Sequence, residues 1–224
     1  MQPYIIAPIH EGRLGKEISP KGIVWHYTAM LPNTELSLAQ VWGHVRGKGT
    51  GAHALIRRNG QIICFAPWNV NANHAGGPTS GVIKKYKFSV GVRANSSTIG
   101  IELSNPGRVR KDAIGWKLAY TGLDVVRLPG DLEVVTDEEL DSYTKKDSWG
   151  WVKYTNEQVA AAKKIVAIAR EMGLKNKPCI VKRPDVEGNK YRDITTTWLC
   201  LRHSDMDPSR KSDPGPLWVP QDLL

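Results

Sequence analysis

"GIVWHYTA", from Gly22 to Ala29, decides the fold class. Ile23, Val24 and Trp25 form an apolar run that ends in the polar residues His26, Tyr27 and Thr28. The run is too short for a helix of ordinary length and reads as a buried strand. His26 then stands at or near the strand's end, where sheet-based sites often lie. "STIGIELS", Ser97 to Ser104, reads as a second buried strand, carrying Glu102 among apolar residues. "AHALIRRNGQIICFAP", Ala52 to Pro67, reads as a hairpin, because Asn59-Gly60 tolerates the positive φ of a tight turn between two apolar runs.

Helical periodicity is clearest in "TNEQVAAAKKIVAIAREMG". Thr155 and Gln158 form a capping box, and Val159, Ala162, Ile165, Val166 and Ala169 recur on one face. Gly173 stands where a C′ residue belongs. "SLAQVWGHVR", Ser37 to Arg46, reads as a short helix with Ser37 as its N-cap. Between Asn105 and Tyr154 the pattern weakens into turns, charges and isolated aromatics, longer than an ordinary connection. It reads as a lobe inserted after the central strand, from about residue 107 to 151. There is no internal repeat and no Pro/Gly/Ser linker. The expected architecture is α/β: a single domain over residues 1–224, with a central mixed sheet flanked by helices.

Composition narrows the function. Hydrophobic residues are 41% of the 224, enough for a substantial core and against disorder. Eight tryptophans stand against two phenylalanines, so some could line a groove for a sugar or peptide, although core packing is the commoner role for any one of them. No apolar run approaches the roughly 18 to 20 residues of a membrane span. The start, "MQPYIIAPIHEGRLGK", lacks a basic segment followed by an apolar one. Synthesis in the cytoplasm is therefore expected, with another agent releasing the protein if it acts elsewhere. Cys64, Cys179 and Cys200 form no CxxC pair and read as reduced thiols, Cys64 as a buried one. The net charge of +9 favours a polyanionic partner: nucleic acid, an anionic membrane surface or an anionic wall polymer. No nucleic-acid-binding signature accompanies the charge, and no nucleic acid is expected.

"RHSDMDPSRKSDPGP", Arg202 to Pro216, crowds a histidine, three aspartates and three prolines into one polar run. Pro208, Pro214 and Pro216 argue against a helix. A stiffened loop could instead bring His203 and Asp213 to one point. With His26, two imidazoles and a carboxylate suit a catalytic Zn²⁺ that keeps an open position for water. Spacing alone leaves this open, since no HExxH or CxxC pattern is present. A single histidine is more often structural than a ligand. Glu102 could be a structural carboxylate paired with an arginine, and Lys211 an ordinary surface lysine. Asp205 and Asp207 read as turn or capping residues, and His10 and His44 as solvated ones.

Six segments, in order, raise a specific resemblance: "VWHYTA", "GAHALIRRNGQI", "NANHAG", "TIGIELSNPG", "YTNEQVAA" and "RHSDMDPSRKSDPGP". The chain resembles the zinc-dependent N-acetylmuramoyl-L-alanine amidase family, type 2, which includes phage amidases, muropeptide-recycling amidases and peptidoglycan recognition proteins. The similarity spans nearly everything except the N-terminal residues and the lobe. It implies a Zn²⁺ site in a surface groove, with His26, His203 and Asp213 as ligands. It implies Glu102 as general base and Lys211 as the cation that supports the transition state. Asn73, His74, Gly76 and Asn105 fall at substrate-binding positions, and His53 in the scaffold of the site. Ser204 or Asn105 could also orient ligands from behind. Ser209 stands where glycine is common, Asn73 where many relatives carry tryptophan, and the lobe is longer than in a minimal member. The implied reaction is hydrolysis of the amide between N-acetylmuramic acid and L-alanine, in peptidoglycan or muropeptide. The basic charge suits contact with an anionic wall or outer-membrane surface, and so a phage or prophage endolysin acting as a monomer. A cytoplasmic anhydro-muropeptide recycling amidase and a non-catalytic peptidoglycan-binding module are the alternatives.

Overall fold

All six residues of Gly22–Tyr27 are buried, and they form the strand read from the sequence. The structure is a computed structural model and describes residues 4–6, 16–31, 51–75, 94–119, 126–140, 148–184, 191–206 and 212–224. The helix expected over Ser37–Arg46 lies outside them. Strands β1 (Tyr4–Ile6), β2 (Gly22–Tyr27), β3 (Ala54–Ile56), β4 (Ile62–Cys64), β5 (Thr98–Leu103) and β12 (Leu201–Arg202) make a six-stranded sheet in the order β1-β4-β3-β5-β2-β12. Only the β3–β4 hairpin, turning through Asn59 and Gly60, is antiparallel; the other pairs are parallel. The sheet is therefore mixed, as expected.

Alternation along β2 and β5 gives the sheet two different faces. Ile23 and Trp25 of β2, with Ile99, Ile101 and Leu103 of β5, join one cluster with Ala161, Ala162, Ile165, Val166 and Ala169. Those alanines and aliphatics belong to helix α1 (Asn156–Glu171), which lies on this face. Thr155 caps α1: its Oγ1 accepts from Gln158 N at 3.1 Å, and Gln158 Oε1 accepts from Thr155 N at 3.2 Å. Each fully buried aliphatic here contributes about 1.5–3 kcal/mol relative to exposure. Val24, His26, Gly100 and Glu102 must point the other way. There Val24 packs with Leu201, Trp198, Cys179 and Val181. Cys179 and Val181 come from β10 (Pro178–Pro184), which pairs antiparallel with β11 (Tyr191–Thr197).

The weakly patterned stretch folds as a second, four-stranded antiparallel sheet. Its strands are β6 (Arg108–Asp112), β7 (Gly115–Leu118), β8 (Val134–Thr136) and β9 (Trp149–Val152), in the order β7-β6-β9-β8. A polar knot holds it. Asp137, 0% exposed, accepts from Arg108 Nη2 at 2.9 Å and from Trp151 Nε1 at 3.1 Å, and Arg108 lies 4.3 Å from the centroid of Trp149. A buried carboxylate with two donors, one of them cationic, is far less costly than a bare one. Trp151 also faces the main sheet, with its ring 6.5 Å from that of Tyr27 in β2.

Four of the seven described tryptophans are buried, and Trp68, Trp116 and Trp149 are partly exposed. Trp25 and Trp218 pack with centroids 5.4 Å apart and ring planes tilted by 49°, and Trp151 and Trp198 are buried too. The three cysteines are free thiols. Cys64 differs from expectation in being only partly buried, because it ends a three-residue strand; burial still pushes its thiol pKa up. No helix among the described residues is long and apolar enough to cross a membrane.

Candidate metal centre

Strand register assembles the centre. In the parallel β2–β5 pair, His26 stands opposite Glu102, so both side chains rise from one face on neighbouring strands. β12 flanks β2 on its other side, with Leu201 opposite Val24 and Arg202 opposite Trp25. His203 is the next residue, opening the short helix α2 (His203–Met206) level with His26. Asp205 caps this turn by accepting from Arg202 N at 2.9 Å, as its sequence position suggests.

The loop that follows returns Asp213 to the same point. Ser204 N donates to Asp213 O at 2.9 Å, Tyr27 and Ser212 share a hydroxyl contact at 3.2 Å, and Tyr154 Oη donates to Pro214 O at 2.6 Å. Gly215 closes the turn at φ +83° beneath the Trp151 ring; a Cβ there would lie 2.6 Å from two ring carbons. Two tyrosines and a tryptophan from other elements thus fix the loop on both sides of Asp213.

Three atoms converge. His26 Nδ1 lies 3.0 Å from His203 Nδ1 and 3.1 Å from Asp213 Oδ2, and His203 Nδ1 lies 2.9 Å from Asp213 Oδ2. These form the one group of His, Cys, Asp or Glu side chains among the described residues that could hold a metal ion. Hydrogen bonding satisfies the triangle poorly. If both rings donate to the carboxylate, their two N–H groups face each other at 3.0 Å. A single cation at the centre takes all three lone pairs at once. Ligand atoms around a tetrahedral zinc with bonds of about 2.0–2.1 Å lie about 3.3 Å apart, close to the separations seen. Two neutral imidazoles and a carboxylate also match zinc's preferred donors. All three residues are nearly solvent-free: His26 is 2%, His203 4% and Asp213 8% exposed. Burial alone would raise the Asp213 pKa, but the His203 and His26 rings hold its carboxyl far below the usual range, so it is the anion a cation needs.

The remaining predicted residues divide. His53 is buried beside Gly100, with its ring 5.7 Å from that of His74: Gly100 N donates to its Nδ1 at 2.9 Å and its Nε2 donates to Val70 O at 2.8 Å. Burial lowers its pKa to about 4. His74 lies against His26, with its Nδ1 3.0 Å from His26 Nε2 and its Nε2 3.2 Å from Thr98 O. Burial, then the neighbouring rings of His26 and His53, drive its pKa well below the ordinary value. Asn73 is exposed beside it. Asn105 does not face a substrate. It is 0% exposed, its Nδ2 donates to Val152 O at 3.1 Å, and its Oδ1 accepts from Gly107 N at 2.6 Å. Its amide fastens the root of the second sheet, a role that the strand-end motif does not reveal. Gly76 and Lys211 lie outside the described residues, as do Ser209, Asp207, His10 and His44. Sequence reasoning missed Tyr27, Tyr154 and Trp151 as braces of the Asp213 loop. It also missed the contact of His74 with His26; the signal for that was Gly100, the residue of β5 on whose face no side chain competes for space.

Comparison with known proteins agrees with this geometry. The sequence profile of the N-acetylmuramoyl-L-alanine amidase family Amidase_2 matches residues 16–216. No curated protein sequence matches the chain. Among solved structures, a selenomethionine derivative of AmpD is similar at 18% identity and TM-score 0.51, covering 100% of this chain and 96% of its own. AmiD from E. coli, solved with anhydro-N-acetylmuramic acid-L-Ala-D-gamma-Glu-L-Lys, is similar at 21% identity and TM-score 0.52 over 93% of this chain. AmpDh3 from Pseudomonas aeruginosa, in complex with anhydromuramic pentapeptide, is similar at 19% identity and TM-score 0.50, again over 93%. This chain spans only 57% of AmiD and 59% of AmpDh3. At these identities the structures establish the shared fold, and the profile, matching most of the sequence, establishes the lineage: the chain belongs to the N-acetylmuramoyl-L-alanine amidase family, enzymes that hydrolyse peptidoglycan.

Proposed function

We propose that the chain is a zinc-dependent amidase that cuts the bond between the lactyl group of N-acetylmuramic acid and L-alanine. The convergence of His26 Nδ1, His203 Nδ1 and Asp213 Oδ2 within 3.1 Å carries this reading. His26, His203 and Asp213 hold the ion. When bound, zinc lowers the pKa of a water and polarises a carbonyl. Glu102 shares the His26 face of the sheet, one strand away. It takes the attacking water's proton and passes it to the leaving amine. Lys211, two residues before Asp213, supplies the ammonium that balances the developing oxyanion. Asn73 and Gly76 contact the glycan or peptide.

The +9 charge favours insoluble anionic wall material as substrate, and so an endolysin acting as a monomer after release from the cytoplasm. The recycling alternative requires a soluble anhydro-muropeptide instead. The non-catalytic alternative is disfavoured because the chain keeps three ligands and Glu102.

Purified protein is incubated with intact peptidoglycan and, separately, with soluble anhydro-muropeptide, with and without a chelator. New alanine amines are then quantified. Zinc-dependent release from intact wall is expected. Release only from the soluble substrate favours recycling, and turnover that survives full zinc removal refutes the metal mechanism. Glu102→Ala should keep zinc and lose turnover, whereas His203→Ala should lose both; a near-normal rate in Glu102→Ala assigns the base elsewhere.

A further inference from the structure

We propose that His74 is a positioning residue for the metal centre, fixing the tautomer and aim of His26 through a chain that ends on the backbone of Thr98. The inference rests on the reading of His26 as a zinc ligand and adds a residue to it. The chain has a direction. Thr98 O, 3.2 Å from His74 Nε2, can only accept, which places the N–H of the neutral His74 ring on Nε2; the Thr98 hydroxyl, 3.3 Å from the same nitrogen, then acts as a second acceptor. His74 Nδ1 then bears a lone pair and accepts from His26 Nε2 at 3.0 Å. His26 therefore carries its hydrogen on Nε2 and turns the Nδ1 lone pair into the triangle shared with His203 and Asp213. A backbone carbonyl at one end thus sets the protonation of a metal ligand at the other.

A second observation is independent of the hydrogen bonds. The His74 ring is seated on Gly100, where an added Cβ would lie 2.2 Å from His74 Cγ and 2.6 Å from its Nδ1. Any other residue at 100 would occupy the space of the ring. The rings of His74 and His26 meet edge to face at 82°, with centroids 5.2 Å apart, so the contact restrains rotation as well as protonation. Both His74 nitrogens are engaged by protein atoms, which argues for a role behind the ligand rather than for one on the substrate.

Partners of this kind typically change metal affinity by 10–100-fold. The test measures zinc affinity by competition with a chromophoric chelator, using metal-free wild-type protein, His74→Phe and His74→Asn. His74→Phe fills the volume without an acceptor; His74→Asn keeps an acceptor oxygen near the place of Nδ1. We expect His74→Phe to bind zinc 10–100-fold more weakly and His74→Asn to recover most of the loss. Equal affinity in wild type and a folded His74→Phe overturns the proposal, as does His74→Asn being no better than His74→Phe. Long-range proton–nitrogen NMR of zinc-loaded wild type, which needs no variant to fold, should show His26 protonated at Nε2 and His74 at Nε2; the other tautomer on either ring also overturns it. Wild type that fails to bind zinc refutes the metal reading itself, a distinguishable result.

Discussion

Lowering the pH from 7.5 to 5.0 should remove about 2 kcal/mol of stability through His53 alone. His53 is 0% exposed, and burial holds its pKa near 4, against 6.5 for a solvated ring. Gly100 N already donates to Nδ1, so a proton arriving there must displace a backbone hydrogen bond. The folded-state pKa is depressed, so between pH 6.5 and 4 the unfolded chain takes up a proton that the folded chain refuses. Stability therefore falls as the pH drops through that window and levels off below it. A difference of about 2.5 pKa units corresponds to roughly 3 kcal/mol in full, of which about 2 is expressed by pH 5. Other histidines and carboxylates titrate over the same range, so the measurement is a difference between two proteins. Wild type and His53→Asn, which cannot titrate there, are unfolded in urea at both pH values, and the free energies are extrapolated to water. Wild type should lose about 2 kcal/mol more than the variant between the two pH values. Equal losses would refute the reasoning, because they would mean that the buried ring protonates as readily as an exposed one.

Two glycines probe the site from beneath. Gly100→Ala must push the His74 ring from 2.2 Å towards the 3.4 Å of ordinary contact, which breaks the 3.0 Å bond to His26; zinc affinity by chelator competition should fall about 10-fold and stability by about 1–3 kcal/mol, and an unchanged affinity would show that the ring can shift harmlessly. Gly215→Ala meets both a φ of +83° and the Trp151 ring at 2.6 Å, so urea unfolding should show a loss of about 2–4 kcal/mol, with weaker zinc binding because Asp213 lies in the same turn; an unaltered unfolding midpoint would mean that the Trp151 brace is not rigid.

What could be read in advance followed from local chemistry. The β2 and β5 strands are apolar runs, and α1 carries its own cap, so each is specified within its own residues. The second sheet hid because its strands are three to five residues long. Its centre is also not an apolar stripe but Asp137 between Arg108 and Trp151, and such a knot leaves no period in the sequence. Asn105 was misplaced for a related reason. It lies three residues after Glu102, just beyond the strand that carries the candidate base, and only the fold shows its amide turning away to Val152.

The metal centre divides along the same line. Motif resemblance singled out His26, His203 and Asp213 as candidate ligands, but a spacing of ten positions between His203 and Asp213 does not by itself bring the two side chains within 2.9 Å. That distance is set by Tyr27, Tyr154 and Trp151, from β2, the segment before α1 and the second sheet. Likewise His26 is aimed by His74, 48 residues away, across a surface cleared by Gly100. A ligand is therefore named by its own residue type, while its direction belongs to residues that carry no ligand signature. The second sheet, joined to the Asp213 turn through Trp151 on Gly215, is in this sense part of the candidate metal centre. Loosening Trp151 should act on zinc affinity before it acts on any step of the chemistry, because the group it moves, Asp213, is a proposed ligand and not the proposed base.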